Sequence, residues 1–549
     1  MYISRLTIFR YSLVIIFNIV YMSAVYSETN TVNNYIKANI DKLNNNKELN
    51  FNGESISAIK VIPAFYDNRE YSPAWGADNI GDLLDSINDI ENDGLNPRDY
   101  HYQLIIGLME EIVENGQKDP EKYALFDIFL TDSLLRLTYH ILVGKVDPER
   151  LDPNWNLAKD INQSHPEDTL QRILDTHNIP SFIEGLKPDH FYYKRMKKAL
   201  AYYRDLKQKG GWNFISQGSA LKPGMSGDSV IGLRKRLLVT GDLVNNSPAD
   251  ERFFDRVLEE GIKAFQRRHG LIDDGVVGAN TINALNVPVE ERVDQIRVNL
   301  ERSRWVLQNL PSYFLVVNIA GFTVFLVKNG EPVWTSKVIV GKKYRKTPVF
   351  KAKMKYIDFN PTWTIPPTIL RNDMLPSVKK DKGYLMEQRI RVLDQNGKEI
   401  PQNTINWSKY SGRNFPYILR QDPGPDNALG LVKFMFPNKH FVYLHDTPSK
   451  SLFEMDMRTF SSGCIRVENP FELAELLLND NENWNRDSIN KVIDQEKTRT
   501  VNLKKQIPVL VLYWTSRVDE DGKVEFLPDV YKRDIAILRE LDAGFKIRK

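Results

Sequence analysis

A multidomain α+β protein, helical in its first half and mainly β from Tyr313 onward, is predicted by three observations. The chain has 549 residues, enough for about three or four domains at roughly 150 residues each. Apolar residues recur at helical spacing up to Leu307, and from Tyr313 the pattern switches to short β-rich runs separated by turn residues. Composition is globular, with 42% hydrophobic and 26% charged residues, so several cores can be buried. Lys+Arg 74 against Asp+Glu 71 leaves a net charge of +3. That near-balance lacks the concentrated basic face of a nucleic-acid binder, and Lys342-Lys343-Tyr344-Arg345-Lys346 reads as a solvated loop.

The N-terminus is built for export. Arg5 and Arg10 precede the apolar run Tyr11 to Tyr26, small residues follow, and the chain turns polar at Glu28. Residues 1–27 therefore read as a signal peptide cleaved after Ser27, or as an uncleaved inner-membrane anchor. Residues 28–54 read as a polar linker.

A mainly helical region is expected over 55–211. Ile80, Leu83, Leu84, Ile87 and Ile90 mark one helix, closed by Asp93-Gly94-Leu95-Asn96-Pro97. A longer helix from Lys122 to Val143 stops at Gly144 with Asp147-Pro148 beyond it, and Phe191 to Leu206 is a third. No catalytic constellation stands out here, so the region reads as a scaffold.

Residues 221–285 form a compact unit of three short helices with glycine stops, the last capped near Asn280 or Thr281. Its run Phe265-Gln266, Gly270-Leu271, Asp274-Gly275-Val276-Val277-Gly278, Thr281 and Leu285 resembles the peptidoglycan-binding domain. Arg234 stands where that family often has glutamine. A linking helix over 289–307 leads to a β domain over 313–515, and 516–549 form a C-terminal extension. Strands are expected at Tyr313–Ile319, Thr323–Val327, Glu331–Val340, Met354–Phe359, Val432–Phe436 and Phe441–His445. Pro508–Trp514 should pair with Val524–Phe526 across Asp521-Gly522, and Asn469 should cap a helix that begins at Pro470. The pattern weakens between Thr368 and Pro416, and a stretch that long inside a compact domain is usually a lid or binding loop.

The chemistry gathers at Ser461-Ser462-Gly463-Cys464-Ile465-Arg466-Val467-Glu468-Asn469, which holds the sole cysteine of the chain. His445 closes a strand upstream, so the two read as a nucleophile and its base. An exported chain that keeps one unpaired thiol has a use for it. No HExxH and no Cys/His ligand spacing argues for a metal or cofactor.

His445 with Ser462-Gly463-Cys464-Ile465-Arg466-Val467 and Asn469 resembles the signature of the YkuD-type L,D-transpeptidases, in the large periplasmic branch with scaffold and wall-binding modules. Ser462 replaces the second histidine that many members carry there. The resemblance implies a β-sandwich catalytic domain with a capping insertion at about 368–416, in the periplasm of a Gram-negative cell. It implies 3→3 cross-linking of peptidoglycan stem peptides, from a tetrapeptide donor to a diaminopimelate acceptor, and acylation by carbapenems. Cys464 would be the nucleophile, His445 the general base and acid, and Gly463 the turn of an oxyanion hole. Tyr443, Ser462, Arg466, Trp363 and Arg420 would line the substrate site. An L,D-carboxypeptidase, a lipoprotein-to-wall transferase and a non-catalytic wall-binding scaffold remain as alternatives.

Overall fold

The computed structural model describes residues 29–115, 119–152, 155–157, 165–216, 218, 220–244, 248–308, 310–480 and 482–546. The proposed signal or anchor segment lies outside them. Among the described residues no helix is long and apolar enough to cross a membrane.

The stretch read as a polar linker is a helix, α1 (Thr29–Asn46). Ile36, Ile40 and Leu43 form a narrow apolar stripe on it, and all three are buried. Helices α2 (Ala77–Asp89) and α3 (Pro120–Val143) follow. Asp119 caps α3 by accepting the Lys122 N–H at 3.1 Å, and Pro120 fills its first position. Helices at Val61–Asn68, Tyr102–Asn115, Pro166–Asp175 and Ile179–Leu186 were not expected, three of them being only eight to ten residues long. α3 is the axis of this region, buried on nearly every side, its polar residues included. Asp132 on it accepts from the backbone N–H of Ser57 at 3.0 Å and of Ala58 at 2.9 Å, and from Arg136 Nε at 2.8 Å.

Helix α4 (Phe191–Gln208) leads to α5 (Asp228–Val239), α6 (Arg256–Arg268) and α7 (Ala279–Leu285), which enclose a small separate core around Leu233, Leu237, Ile262 and Phe265. The expected cap of α7 does not form: the helix starts after Gly278, without a side-chain cap. Arg234 is buried, its Nη2 donating to Phe253 O and pairing with Asp255, both at 2.7 Å.

Helix α8 (Val289–Val306) is far more than a link, because Glu301, Ser303 and Arg304 on it are fully buried. Arg304 pairs with Glu301 at 2.6 Å and also donates to Asp93 O, while Glu301 accepts the Val146 N–H at 2.7 Å. Asn299 accepts the Thr515 N–H at 2.9 Å, tying the same helix to the β domain. Gly144, which ends α3 at φ +89, lies so close to α8 that an added Cβ would meet Trp305 Nε1 at 2.5 Å.

The β domain comprises β1 (Tyr313–Asn318), β2 (Thr323–Lys328), β3 (Glu331–Gly341), β4 (Phe350–Phe359), β5 (Trp363–Thr364), β6 (Ile390–Leu393), β7 (Ile418–Gln421), β8 (Val432–Met435), β9 (Leu444–His445), β10 (Thr459–Ser461), β11 (Ile465–Val467) and β12 (Arg499–Leu512). Nine of them form one sheet in the order β10-β3-β11-β9-β8-β4-β12-β1-β2, and β2 also pairs with β3, so the sheet curls onto itself. Three differences from the expected strands stand out. Phe441 takes φ +55 in a turn closed by the Asn438 side chain, which leaves only Leu444–His445 as strand. Of the segment 508–514, Pro508 to Leu512 join the main sheet within β12, parallel to β1 and antiparallel to β4. The late hairpin is instead β13 (Ser516–Val518) with β14 (Val524–Phe526). Asn469 does precede the helix α9 (Pro470–Leu478), but its side chain makes no capping hydrogen bond.

The weakly patterned insertion is folded. β5, β7 and β6 form a small antiparallel sheet, and Leu375, Val378, Leu385, Val392, Trp407 and Leu419 pack on it as a core of their own. Helix α10 (Asp534–Asp542) then packs back on α8, so the C-terminal residues belong to the body of the fold.

Candidate active site

Alternation along three short strands assembles the site. β8 runs antiparallel to β9 with Lys433 opposite His445, and β9 runs parallel to β11 with His445 beside Arg466. Two residues back from that pair, just before β9, Tyr443 lies beside Cys464, and the Ile465 N–H donates to Tyr443 O at 3.0 Å. Side chains alternate between faces, and neighbouring strands lie about 4.8 Å apart. Phe434, Leu444, Ile465 and Val467 therefore point into the core and are fully buried. Lys433, Tyr443, His445, Cys464 and Arg466 share the opposite face. His445 stands diagonally from Cys464, with Tyr443 and Arg466 on the other corners.

The half-buried Cys464 thiol lies 3.7 Å from Phe441 O. Its turn is braced from several directions. Ser461 Oγ donates to Cys464 O at 2.5 Å and accepts the Gly463 N–H at 3.1 Å. Thr347 Oγ1 donates to Gly463 O at 2.9 Å, and Tyr531 fixes that threonine by accepting its N–H at 3.2 Å. Gly463 holds φ +119, a conformation open to glycine and strained for other residues. Its N–H is thus committed to Ser461, so Gly463 serves the turn by its shape rather than by a free donor.

Burial sets the protonation states. It is the main cause that lowers the His445 pKa to about 3, and the nearby Arg466 and Lys433 cations lower it further. The neutral ring is oriented by its Nδ1, which meets Asp446 O. Burial also pushes the Cys464 thiol above its ordinary value, opposed by the Tyr443 N–H and hydroxyl and by Lys433 and Arg466. Tyr443 is held protonated by burial and by the adjacent thiol, while Trp363 bonds its hydroxyl from the insertion. Lys433 Nζ covers the Tyr443 ring at 4.6 Å. Arg466 is half-buried, and its Nε has no partner among the described residues.

Residues 312–501 match the family model of the L,D-transpeptidase catalytic domain, YkuD. This region belongs to that family. Residues 226–285 match a model described as "Putative peptidoglycan binding domain", and residues 60–200 match the scaffold domain. A curated protein of Haemophilus influenzae described as "Putative L,D-transpeptidase" is 36% identical over 230 residues, which cover 42% of this chain and 46% of the relative. The match thus spans less than half the length of that relative. Among solved structures, an L,D-transpeptidase fragment from Xylanimonas cellulosilytica is similar at 14% identity and TM-score 0.18, covering 54% of this chain and 99% of the fragment. A fused Zn-dependent amidase/peptidase/peptidoglycan-binding protein from Clostridium acetobutylicum is similar at 12% identity and TM-score 0.15, covering 54% of this chain and all (100%) of its own. Scores this low carry nothing further.

Within the YkuD domain the structure gathers Cys464, Gly463, His445, Tyr443, Arg466 and Trp363. Ser462 is exposed beside them and accepts from Arg345 Nη1 at 2.8 Å. Arg420 stays on the sheet of the insertion, its Nε donating to Thr364 Oγ1 at 3.2 Å, with no contact to the thiol group. The basic stretch 342–346 is only partly a solvated loop: Arg345 pairs with Asp373 of the insertion at 2.7 Å, and Lys346 reaches Tyr531 O at 3.2 Å. His440, shortly before β9, packs its ring on Phe350 at 5.0 Å. Lys433, Thr347, Arg345 and Tyr531 escaped the sequence reading. Alternation along Val432-Lys433-Phe434 could have flagged Lys433, whereas Tyr531 is 190 residues from the Gly341 carbonyl it bonds and leaves no local signal.

Proposed function

We propose that the protein is a peptidoglycan L,D-transpeptidase of the bacterial cell envelope that works through a thioester on Cys464. The parallel register of β9 and β11 carries this reading, because it places Tyr443 beside Cys464 and His445 beside Arg466 on one half-buried face. The Cys464 sulfur attacks the carbonyl between diaminopimelate and the terminal D-Ala of a donor stem, while His445 takes the thiol proton. The tetrahedral intermediate collapses to a thioester, and His445 returns the proton to the departing D-Ala amine. The side-chain amine of a second diaminopimelate then attacks the thioester, gives its proton to His445 and restores the thiol, leaving a 3→3 cross-link.

In the empty site burial raises the Cys464 thiol and lowers the His445 imidazole to about 3, so passing the proton from sulfur to ring runs uphill. The resting pair is therefore neutral, and substrate has to lower that step. A stem carboxylate on Arg466 does so by cancelling a cation that opposes the imidazolium. Tyr443 and Lys433 steady the sulfur as it ionises. Trp363 walls the cleft and the insertion excludes water, which favours an amine acceptor over hydrolysis. Ser462 and Arg420 take outer parts of the stem. In this reading residues 1–27 export or anchor the chain, 55–211 form its scaffold, 221–285 engage the wall, and the periplasm is the place of action.

Incubation with disaccharide-tetrapeptide, followed by mass spectrometry, tests the proposal. Dimer and free D-Ala are expected from the intact protein, with both lost in Cys464→Ala. Tripeptide alone would make water the acceptor and the enzyme a carboxypeptidase. A product formed equally by Cys464→Ala would overturn the mechanism. A carbapenem adduct on Cys464 is the companion readout.

A further inference from the structure

Arg345 reaches the nucleophile turn from the loop after β3. Its guanidinium donates from Nη1 to Ser462 Oγ at 2.8 Å and to Asp373 Oδ2 at 2.7 Å, so one cation touches both the turn and the insertion. The two partners differ in burial. The Arg345 side chain is 13% exposed and held in place, whereas Asp373 is 45% exposed and can be displaced. Asp373 is the one carboxylate paired with Arg345 among the described residues. Arg466 follows Cys464 on the strand, and Arg345 touches Ser462, two residues before it, so a guanidinium contacts the turn on the side away from Arg466 in sequence.

We propose that Arg345 is the seat for the terminal carboxylate of the leaving residue, and that Asp373 fills this seat in the empty enzyme. The inference rests on the transpeptidase reading and names a specificity residue within it. A carboxylate one residue beyond the scissile carbonyl lies about 4 Å from the carbon the sulfur attacks. Ser462, whose hydroxyl already touches the guanidinium, is two residues from Cys464. The planar guanidinium fork matches a carboxylate through two parallel hydrogen bonds, which a lysine cannot reproduce. Incoming substrate then exchanges one carboxylate for another on the same cation, so the charge of Arg345 stays neutralised throughout. Because Asp373 belongs to the insertion, its release also frees that segment to settle over the stem.

Two donors and two variants separate this seat from a plain latch. Binding of tetrapeptide with a free terminal carboxylate, and with a terminal carboxamide, is measured by calorimetry on full-length Cys464→Ala protein, which needs no turnover. Asp373→Asn should tighten the free acid several-fold, and Arg345→Ala should weaken it about tenfold or more, as expected for one lost charge-assisted contact. The carboxamide should bind the parent and Arg345→Ala within about twofold, since only its missing charge is at issue. Arg345→Lys, which keeps the charge and the fold, should recover part of the loss. Arg345→Ala and Asp373→Asn shifting both donors in the same direction would reduce the pair to a latch and overturn the seat. Failure of the cross-linking chemistry would instead appear as absent product in the parent enzyme, with these binding differences intact.

Discussion

Two buried histidines, one in the scaffold and one in the catalytic domain, are treated in opposite ways. His101 is fully buried, with Nδ1 against Glu54 at 2.9 Å and Nε2 against Asp132 at 2.8 Å. Arg136 closes the same network through Asp132 at 2.8 Å, and backbone N–H groups fill the remaining acceptor sites. His445 is almost as deeply buried, yet the charged groups that perturb it are the cations Arg466 and Lys433. This scaffold network answers its buried charges with their opposites, which holds a fold together. The catalytic face places like-signed groups around a base and leaves Arg466 Nε unanswered, an arrangement that stability alone would remove. Cations gathered around a buried base are what mark the working half.

The comparison can be broken most forcefully in the scaffold. Asp132→Ala strands His101 and Arg136 together, so it should cost about 3–5 kcal/mol in urea unfolding. Alkylation of Cys464 in the folded protein should be unchanged. A loss below about 1 kcal/mol would mean that the network contributes no more than an exposed ion pair.

His445 tests the other side through acid. Its folded pKa near 3 lies below the ordinary 6.5, so as pH falls the unfolded chain takes up the proton first. The contribution of this group is present above pH 6.5 and drains away toward pH 3, on the order of a few kcal/mol. His445→Gln should therefore flatten the stability-against-pH curve between those limits in thermal melts. An unchanged slope would remove the unfavourable charge environment from the account.

The smallest effect belongs to Tyr443. Its hydroxyl is one of the groups that draw the Cys464 thiol down against burial. Tyr443→Phe should move the iodoacetamide alkylation profile of Cys464 to higher pH and slow the reaction a few-fold at pH 8. Faster alkylation in the variant would show that the ring shields the sulfur more than its hydroxyl activates it.

Legibility followed range. Cys464 and His445 could be read because thiol, glycine turn and base sit in short segments with distinctive residue types. Helix α3 could be read because its apolar repeat, Pro120 and Gly144 agree with one another. Helix α1 was hidden by asparagine and lysine, although the spacing of Ile36, Ile40 and Leu43 carries the signal. The insertion was hidden because its strands are brief and its core is shared among many short turns. Arg345 looked like one charge of a basic loop, since its partners Asp373 and Ser462 lie 28 and 117 residues away. The strand over 508–514 was assigned a neighbour in sequence, whereas a parallel partner is necessarily distant.

Helix α8 bears on how such proteins diversify. Family models divide the chain into a scaffold, a wall-binding segment and a catalytic segment, as though each were an exchangeable cassette. Yet Arg304 on α8 reaches back to Asp93, Glu301 receives Val146, and Trp305 stands where any side chain at position 144 would grow. A recombination event that replaced the scaffold while keeping the catalytic segment would leave Arg304 and Glu301 with each other but without these backbone partners, unless the newcomer brought a matching carbonyl, N–H and glycine. Inheritance of this seam is therefore joint: the helical half and the β half share one helix, and a trade of either alone leaves one face of α8 unmatched.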